Sequence, residues 1–410
     1  MKGQPAIALA PAHLCTGCTA CLAVCPASAI RMDADSEGFS YPRIDDARCT
    51  RCGLCVKTCP VLRRPPPRQP LAVYAALSAD AALREQSSSG GLFTLLARRI
   101  LSQDGVVFGA AWGEGWGVAH VSAADEAGLA ALRGSKYAQS DLRDVFRQVR
   151  QHLCDGRPVL FSGTPCQLAG LRAFLSTAEP ADAPALGSLL GVDLVCYSVP
   201  SPRAFDAYRR ERETLAGAPA VRISFRDKRD GWHRYALAMS FANGASYRAS
   251  KADDSFLQGF TKDLFSRPSC HACPFRELRS GADITLGDFW GVAQRHPDFD
   301  DDRGTSLLLA NTHRGLAFVQ AVLSLAGADA PRWRAESDYA AVQTVNWALC
   351  RSPEPHRNRA AFFENLERVP FSRLVRRLLR PSLSRRLRAA LRRMRKPPPS
   401  QPAAPEAERS

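Results

Sequence analysis

No stretch of this 410-residue sequence approaches the roughly 20 consecutive apolar residues that a membrane-spanning helix needs. No secretory signal opens it either: Ile7-Ala8-Leu9-Ala10 is too short an apolar run, and Cys15 follows closely. A cytoplasmic protein is expected, and in that compartment grouped cysteines serve metal or redox chemistry more often than disulfides. Acidic residues are missing from one region. Residues 368–396 hold twelve Arg or Lys and no Asp or Glu, so the tail from 368 onward carries most of the net charge of +15. The body before it is near neutral, and the pI of about 9.5 is no argument for nucleic-acid binding.

Cysteine, by contrast, is abundant, with 14 in the chain. Cys15-x2-Cys18-x2-Cys21-x3-Cys25-Pro26 is followed by Cys49-x2-Cys52-x2-Cys55-x3-Cys59-Pro60. This is the bacterial ferredoxin spacing, twice. Three thiolates spaced two residues apart wrap three corners of a cubane, and the fourth cysteine of each run ligates the other cluster. The spacing assigns Cys15, Cys18, Cys21 and Cys59 to one [4Fe–4S] cluster and Cys49, Cys52, Cys55 and Cys25 to another. Zinc ribbons use two pairs of ligands, not two runs of four each closed by proline.

Six cysteines remain. Cys154, near a predicted helix end, and Cys350, in an apolar stretch, read as small buried hydrophobes. Cys166 follows the apolar strand of VLFSGTPCQLAGL, and Cys196 closes another in GVDLVCYSVPSP. In open α/β sheets ligands bind beyond the C-terminal ends of strands. Cys270 and Cys273 form a CxxC in RPSCHACP. Four thiols would suffice for a third cubane, but a CxxC is also a zinc half-site or a redox dithiol, and spacing alone leaves these open.

The organisation reads as an N-terminal ferredoxin-like α+β domain over 1–62, a stiff Pro-rich linker over 63–70, and a mixed-sheet α/β domain over 71–365. A basic amphipathic segment follows over 366–396, then a disordered tail over 397–410. Strands are predicted at AVYAALS, VVFGAAW, VAHVSA, PVLFSG, LGVDLVCYSV, VRISFRD, YALAMSF, ADITLGDF and SLLLANT. Helices are predicted at GGLFTLLARRILSQDG and at DLRDVFRQVRQHLCDG, the latter with Asp141 as N-cap. The basic segment is expected to lie on an anionic membrane surface, to bind an acidic partner, or to be simply a solvated helix.

SSSGGLFT, GSKYAQS, VLFSGTPCQLAGL, DLVCYSVPSP, SFRDKRDGW and RPSCHACPFRELRSGADITLGDFWG occur in that order after the ferredoxin pair. Together they resemble the coenzyme F420-reducing hydrogenase/dehydrogenase beta-subunit family, over roughly residues 12–315. RPSCHACPF and GDFWG look closest to its bacterial polysaccharide-cluster branch. The resemblance implies an FAD-binding α/β core with one [4Fe–4S] cluster, held by position on Cys166, Cys196, Cys270 and Cys273. Electrons would pass between the ferredoxin pair, this cluster and the flavin, exchanging with a ferredoxin or other redox protein at one end. At the other end they would reach a small-molecule acceptor, coenzyme F420 or an unidentified substrate.

Candidate flavin residues follow from the same motifs. Ser89, Gly90 and Gly91, with Thr94 beyond them, open a helix whose N-terminus could face the FAD pyrophosphate; an ordinary helix-start turn is the alternative. Lys136 and Tyr137 match a family motif and would contact flavin or an anionic substrate. Gly163, Thr164 and Pro165 form the turn before Cys166, with Thr164 directed to a flavin edge. Arg226 and Lys228 would hold phosphate or carboxylate groups, unless they are merely solvated. Lys136 and Asp288 are the catalytic candidates, Asp288 as a proton-handling group. Against the enzyme stand a pure electron-transfer subunit and a non-catalytic scaffold, neither of which requires flavin.

Overall fold

A computed structural model describes residues 9–177, 186–327 and 330–380. The part of the basic segment beyond Arg380, with the tail expected to be disordered, lies outside the described residues. Among those described, no helix is long and apolar enough to cross a membrane.

The cysteine-rich N-terminus forms a hairpin of β1 (Ile30–Ala34) and β2 (Ser40–Ile44), with short helices at Ala20–Val24 and Leu54–Lys57. Such a small unit has little apolar material of its own. It shares the core of the body: Cys18, Ala20 and Ala23 are buried with Phe161, Leu168 and Leu171. Arg147 donates from Nε to the Ala23 carbonyl at 3.1 Å. Arg359 forks onto the Glu37 carboxylate on the other side. The proline-rich stretch lies along the Cys270–Leu278 region, with Arg64 Nε donating to Pro274 O and Arg68 N to Glu277 O.

Nine strands make one mixed sheet. β3 (Ala72–Ser78), β4 (Val106–Trp112), β5 (Val118–Ala123), β6 (Ser140–Asp141), β7 (Val159–Gly163) and β8 (Leu189–Leu194) belong to it. β9 (Ala220–Asp227), β10 (Ala236–Phe241) and β11 (Ser246–Ser250) form a separate antiparallel sheet. β12 (Ile284–Asp288), β13 (Ser306–Ala310) and β14 (Pro331–Glu336) return to the large one, whose order is β14-β3-β13-β12-β8-β7-β4-β5-β6. The β12-β8-β7-β4 centre is parallel.

Central parallel strands are covered on both faces and therefore read as unbroken apolar runs. In β7, Val159 and Phe161 face the helices Val145–Cys154 and Pro165–Leu175, while Leu160 faces the helix Leu92–Leu101. The small sheet packs with Pro202–Ala216, Ser255–Thr261, Arg359–Asn365 and Phe371–Leu379 around Phe225, Phe256 and Phe265.

Two sequence readings need correction. Asp141 is not an N-cap: it pairs as the last residue of β6, and the helix starts at Val145 after Asp144. Ser140 and Asp141 are drawn into the sheet by β5, a long-range pairing that local capping rules do not see. Cys154 is exposed rather than buried, because it ends that helix on its solvent side, and Cys350 is half-buried.

Candidate functional site

The parallel order brings the C-terminal ends of β7, β8 and β12 to one edge of the sheet. Cys166 sits in the first turn of the helix that follows β7, and Cys196 lies two residues beyond β8. The Pro200–Ser266 bridge and the Arg267 N–H to Val199 O bond fasten the next segment beside β8's extension. That segment turns as a 3-10 helix over Pro268–Ala272, carrying Cys270, and ends at Cys273. Cys166, Cys196, Cys270 and Cys273 thereby line a single cavity.

Burial pushes three of these thiols up, Cys166 to about 11, Cys270 to about 12 and Cys196 well above its usual value. Those three are further disfavoured as thiolates by their cysteine neighbours: Cys273 acts on Cys166, Cys273 and Cys166 act on Cys270, and Cys270, Cys166 and Cys273 act on Cys196. Buried thiols of this kind are inert unless a metal takes the place of the proton.

Two arginines share the cavity, Arg267 (1 % exposed) and Arg276 (8 % exposed). Arg276 donates to the carbonyls of Cys196, Ala348 (2.6 Å) and Tyr197 (2.7 Å). Arg267 donates to Cys15 O (3.0 Å), Ser40 O (3.0 Å) and Gln139 Oε1 (2.7 Å), with Tyr41 packed on its guanidinium face. Neither is ion-paired with a carboxylate among the described residues. The Ser269 hydroxyl, also lining the cavity, is buried with no hydrogen-bond partner there. Two unpaired buried cations are costly unless an anion balances them. Four thiolates around a cubane supply net negative charge, and sulfur atoms accept hydrogen bonds, so the donor set and its surroundings fit an iron–sulfur cluster.

A second cavity is lined by Cys15, Cys18, Cys21 and Cys59. Cys21 is pushed up to about 12, by burial first and then by Cys15 and Cys59. Cys55 is raised by burial and feels Cys52 and Cys25. Neighbouring groups also sense one another. Cys55 acts on Cys21, and Cys166 acts on Cys18. The thiols thus form a chain, with the Cys15–Cys21 loop between the Cys52–Cys55 loop and the core cavity. Thr16 lines both cavities. No three described His, Cys, Asp or Glu groups stand where one metal ion could be held.

Several of the predicted flavin residues are engaged within the fold, and the Ser88 carbonyl beside Ser89 accepts from Arg226 at 3.4 Å. Gly90 is packed between strands: its N–H donates to Ser306 Oγ, and a Cβ there would lie 2.6 Å from Ala76 O. Ser89 Oγ donates to Thr305 O, and Gly91 caps the helix Leu92–Leu101 with φ +89°. Thr94 Oγ1 accepts from Arg133 Nε. Lys136 Nζ donates to Ala131 O and Arg133 O, and burial lowers it to about 8. Lys228 Nζ donates to Arg84 O and Arg303 O and is likewise lowered to about 8 by burial. Gly163 abuts Phe161, and Pro165 lies on the core cavity. Thr164 reaches the Cys166 sulfur at 3.1 Å rather than an open edge.

One predicted group does converge. Arg226 and Asp288 form an ion pair at 2.8 Å, with Arg226 4.0 Å over the Tyr235 ring. Trp232 Nε1 donates to Asp288 Oδ1 at 3.1 Å and stacks on Trp290 at 4.8 Å. Tyr137 hydrogen-bonds in the same cluster and packs on Phe225. Lys136 and Asp288 have separate partners.

Sequence reasoning missed Arg267 and Arg276. The signal was present, since both flank the CxxC, but an arginine near a motif reads first as a solvated charge. It also missed His120, buried between Ser162 O (3.0 Å) and Ser140 Oγ (2.9 Å). Gln167 links Ser140 to Thr164, and so this chain reaches Cys166.

Residues 14–62 match the family model for the 4Fe-4S dicluster domain. Residues 73–147 match that for the N-terminal part of the coenzyme F420 hydrogenase/dehydrogenase beta subunit, and residues 156–326 match that for its C-terminal part. The latter two together span more than half of the chain. Among solved structures, the chain is similar to one from the F420-reducing [NiFe] hydrogenase complex of Methanosarcina barkeri. The identity is 16 % and the TM-score 0.48, covering 69 % of this chain and 89 % of that one. No curated protein matches the sequence.

Proposed function

Because the chain belongs to the coenzyme F420 hydrogenase/dehydrogenase beta-subunit family and carries a 4Fe-4S dicluster domain, we propose that it relays electrons through three [4Fe–4S] clusters to or from a small-molecule acceptor. One cluster would sit on Cys25, Cys49, Cys52 and Cys55, the next on Cys15, Cys18, Cys21 and Cys59, and the third on Cys166, Cys196, Cys270 and Cys273. The observation that carries the third is the cavity where four thiols meet two buried guanidiniums that form no ion pair among the described residues. The protein's own residues do three things there. The sheet edge fixes the thiol positions, the arginines hold positive charge against them, and the surrounding apolar groups exclude water.

FAD is the part of the proposal that rests on the resemblance alone. The polar groups of Gly90, Thr94, Lys136 and Lys228 are engaged within the protein. A bound flavin would exchange single electrons from the clusters for a two-electron or hydride transfer. The acceptor is then coenzyme F420 or a substrate of polysaccharide biosynthesis. The engaged groups favour a second reading, an electron-transfer subunit that carries no flavin.

Anaerobic reductive titration of the full chain separates these. Uptake of about five electrons per chain, with one flavin released on acid precipitation, fits three one-electron cubanes and a flavin. About three electrons without flavin fits the electron-transfer subunit. About two electrons overturns the core cluster.

A further inference from the structure

Arg267 stands at the seam between two thiol cavities. Its Nε holds the Cys15 carbonyl, which belongs to the loop of one, and it lines the other together with Cys166 and Cys270. A Cβ built on Gly17 would touch its guanidinium at 3.0 Å, so the Cys15–Cys18 loop closes directly over the charge. Its own carbonyl accepts from the Cys270 N–H at 3.0 Å. Three of its N–H groups donate to two carbonyls and an amide oxygen, the Phe39 and Tyr41 rings lie 5.4 and 4.4 Å from its central carbon, and no carboxylate among the described residues pairs with it. Arginine stays protonated under all ordinary conditions. The side chain is therefore a fixed buried positive charge that touches the surroundings of both sites.

Charge at this place acts on reduction. Each cubane with four thiolates is anionic and gains one more negative charge when reduced, and its potential depends on net charge and on hydrogen bonds in its surroundings. Two such anions side by side repel, and reduction of one opposes reduction of the other. Inside a protein, where the dielectric is low, this repulsion is strong.

We propose that Arg267 is the electrostatic bridge of the relay: it raises the reduction potentials of the middle and core clusters together, so that an electron passes between them without a large uphill step. Arg276 serves the core cluster alone, since it binds the carbonyls of Cys196 and Tyr197 and reaches no part of the N-terminal loop. The inference rests on the three-cluster reading above.

The test is an EPR-monitored redox titration of anaerobically purified full chain, with iron counted in each sample. In Arg267→Gln, at unchanged iron, the reduction equilibria of the middle and core clusters shift toward the oxidised form by at least about tenfold, which is about 59 mV for a one-electron couple. The outer cluster on Cys25, Cys49, Cys52 and Cys55 stays where it was. Arg276→Gln shifts the core cluster only, and Arg267→Lys remains close to wild type. Arg267→Met is the second neutral variant. If both neutral variants lose iron while Arg267→Lys keeps it, the charge is needed even for cluster retention, which supports the bridge in stronger form. If Arg267→Lys loses iron as well, the side chain acts only through its hydrogen bonds and the bridge is wrong. Full iron with unmoved potentials, or an equal shift of all three clusters, also overturns it while leaving the three clusters intact. About eight irons in the wild type would instead remove the core cluster, and the bridge with it.

Discussion

Cys18 and Gly170 touch across the seam between the N-terminal loop and the helix Pro165–Leu175: a Cβ on Gly170 would lie 3.0 Å from the Cys18 sulfur and 2.9 Å from its Cβ. The helix that presents Cys166 at its first turn therefore presses on a neighbouring cysteine one turn later. Gly170→Ala is expected to cost about 1–3 kcal/mol by overpacking and to speed iron loss from the middle cluster. Gly187→Ala, where an added Cβ meets nothing within 4 Å, is the neutral control. Urea midpoints and chelator-driven iron release check both, and equal behaviour of the two variants would speak against the seam.

The thiol groups make distinct predictions. Cys196→Ser is expected to lose about one third of the iron, with the ferredoxin-type signals retained. Cys154→Ser and Cys350→Ser lie outside both cavities and are expected to lose none. Iron analysis with EPR of the dithionite-reduced proteins reads the difference.

Asp288 bears on a buried cation. Arg226 is 6 % exposed in its side chain, and Asp288 is its carboxylate. Asp288→Asn strands that charge and is expected to cost roughly 3 kcal/mol, whereas Arg226→Met combined with Asp288→Asn recovers part of the loss. Urea unfolding of the singles and the double measures the coupling. Strict additivity would mean the pair does not act as one.

His120 carries a pH dependence. Burial lowers it to about 4, so it stays neutral in the folded chain while the unfolded chain takes up a proton near 6.5. The unfolded state binds more protons between these values, so stability falls as pH drops from about 6.5 to about 4, by roughly 3 kcal/mol in all. His120→Gln is expected to flatten that slope while lowering stability at neutral pH. Unfolding midpoints across pH 4–7 show whether it does.

Much of this was legible in the sequence, for physical reasons. Apolar runs such as VVFGAAW and PVLFSG are bounded by Gly, Pro and charge, and they form β4 and β7 where the pattern predicts. The ferredoxin spacing is a local constraint, so it can be read without a fold. β6 and β14 escaped notice because Ser140–Asp141 and Pro331–Glu336 owe their strand geometry to partners far along the chain. The roles of Arg267 and Arg276 were hidden for the same reason. A guanidinium's burial depends on which segments fold over it, here the Cys15–Gly17 loop and the stretch around Ala348. Of the flavin candidates, Arg226 and Tyr137 meet beside Asp288, whereas Gly90 and Lys136 are engaged in joining strands and capping a loop, as small and charged residues near motifs often are.

Cys166, Cys196, Cys270 and Cys273 are proposed to hold a cluster of their own. Iron and acid-labile sulfide per chain in anaerobically purified protein test it most directly. About twelve of each are expected. About eight of each, in protein whose ferredoxin-type signals are complete, would contradict it.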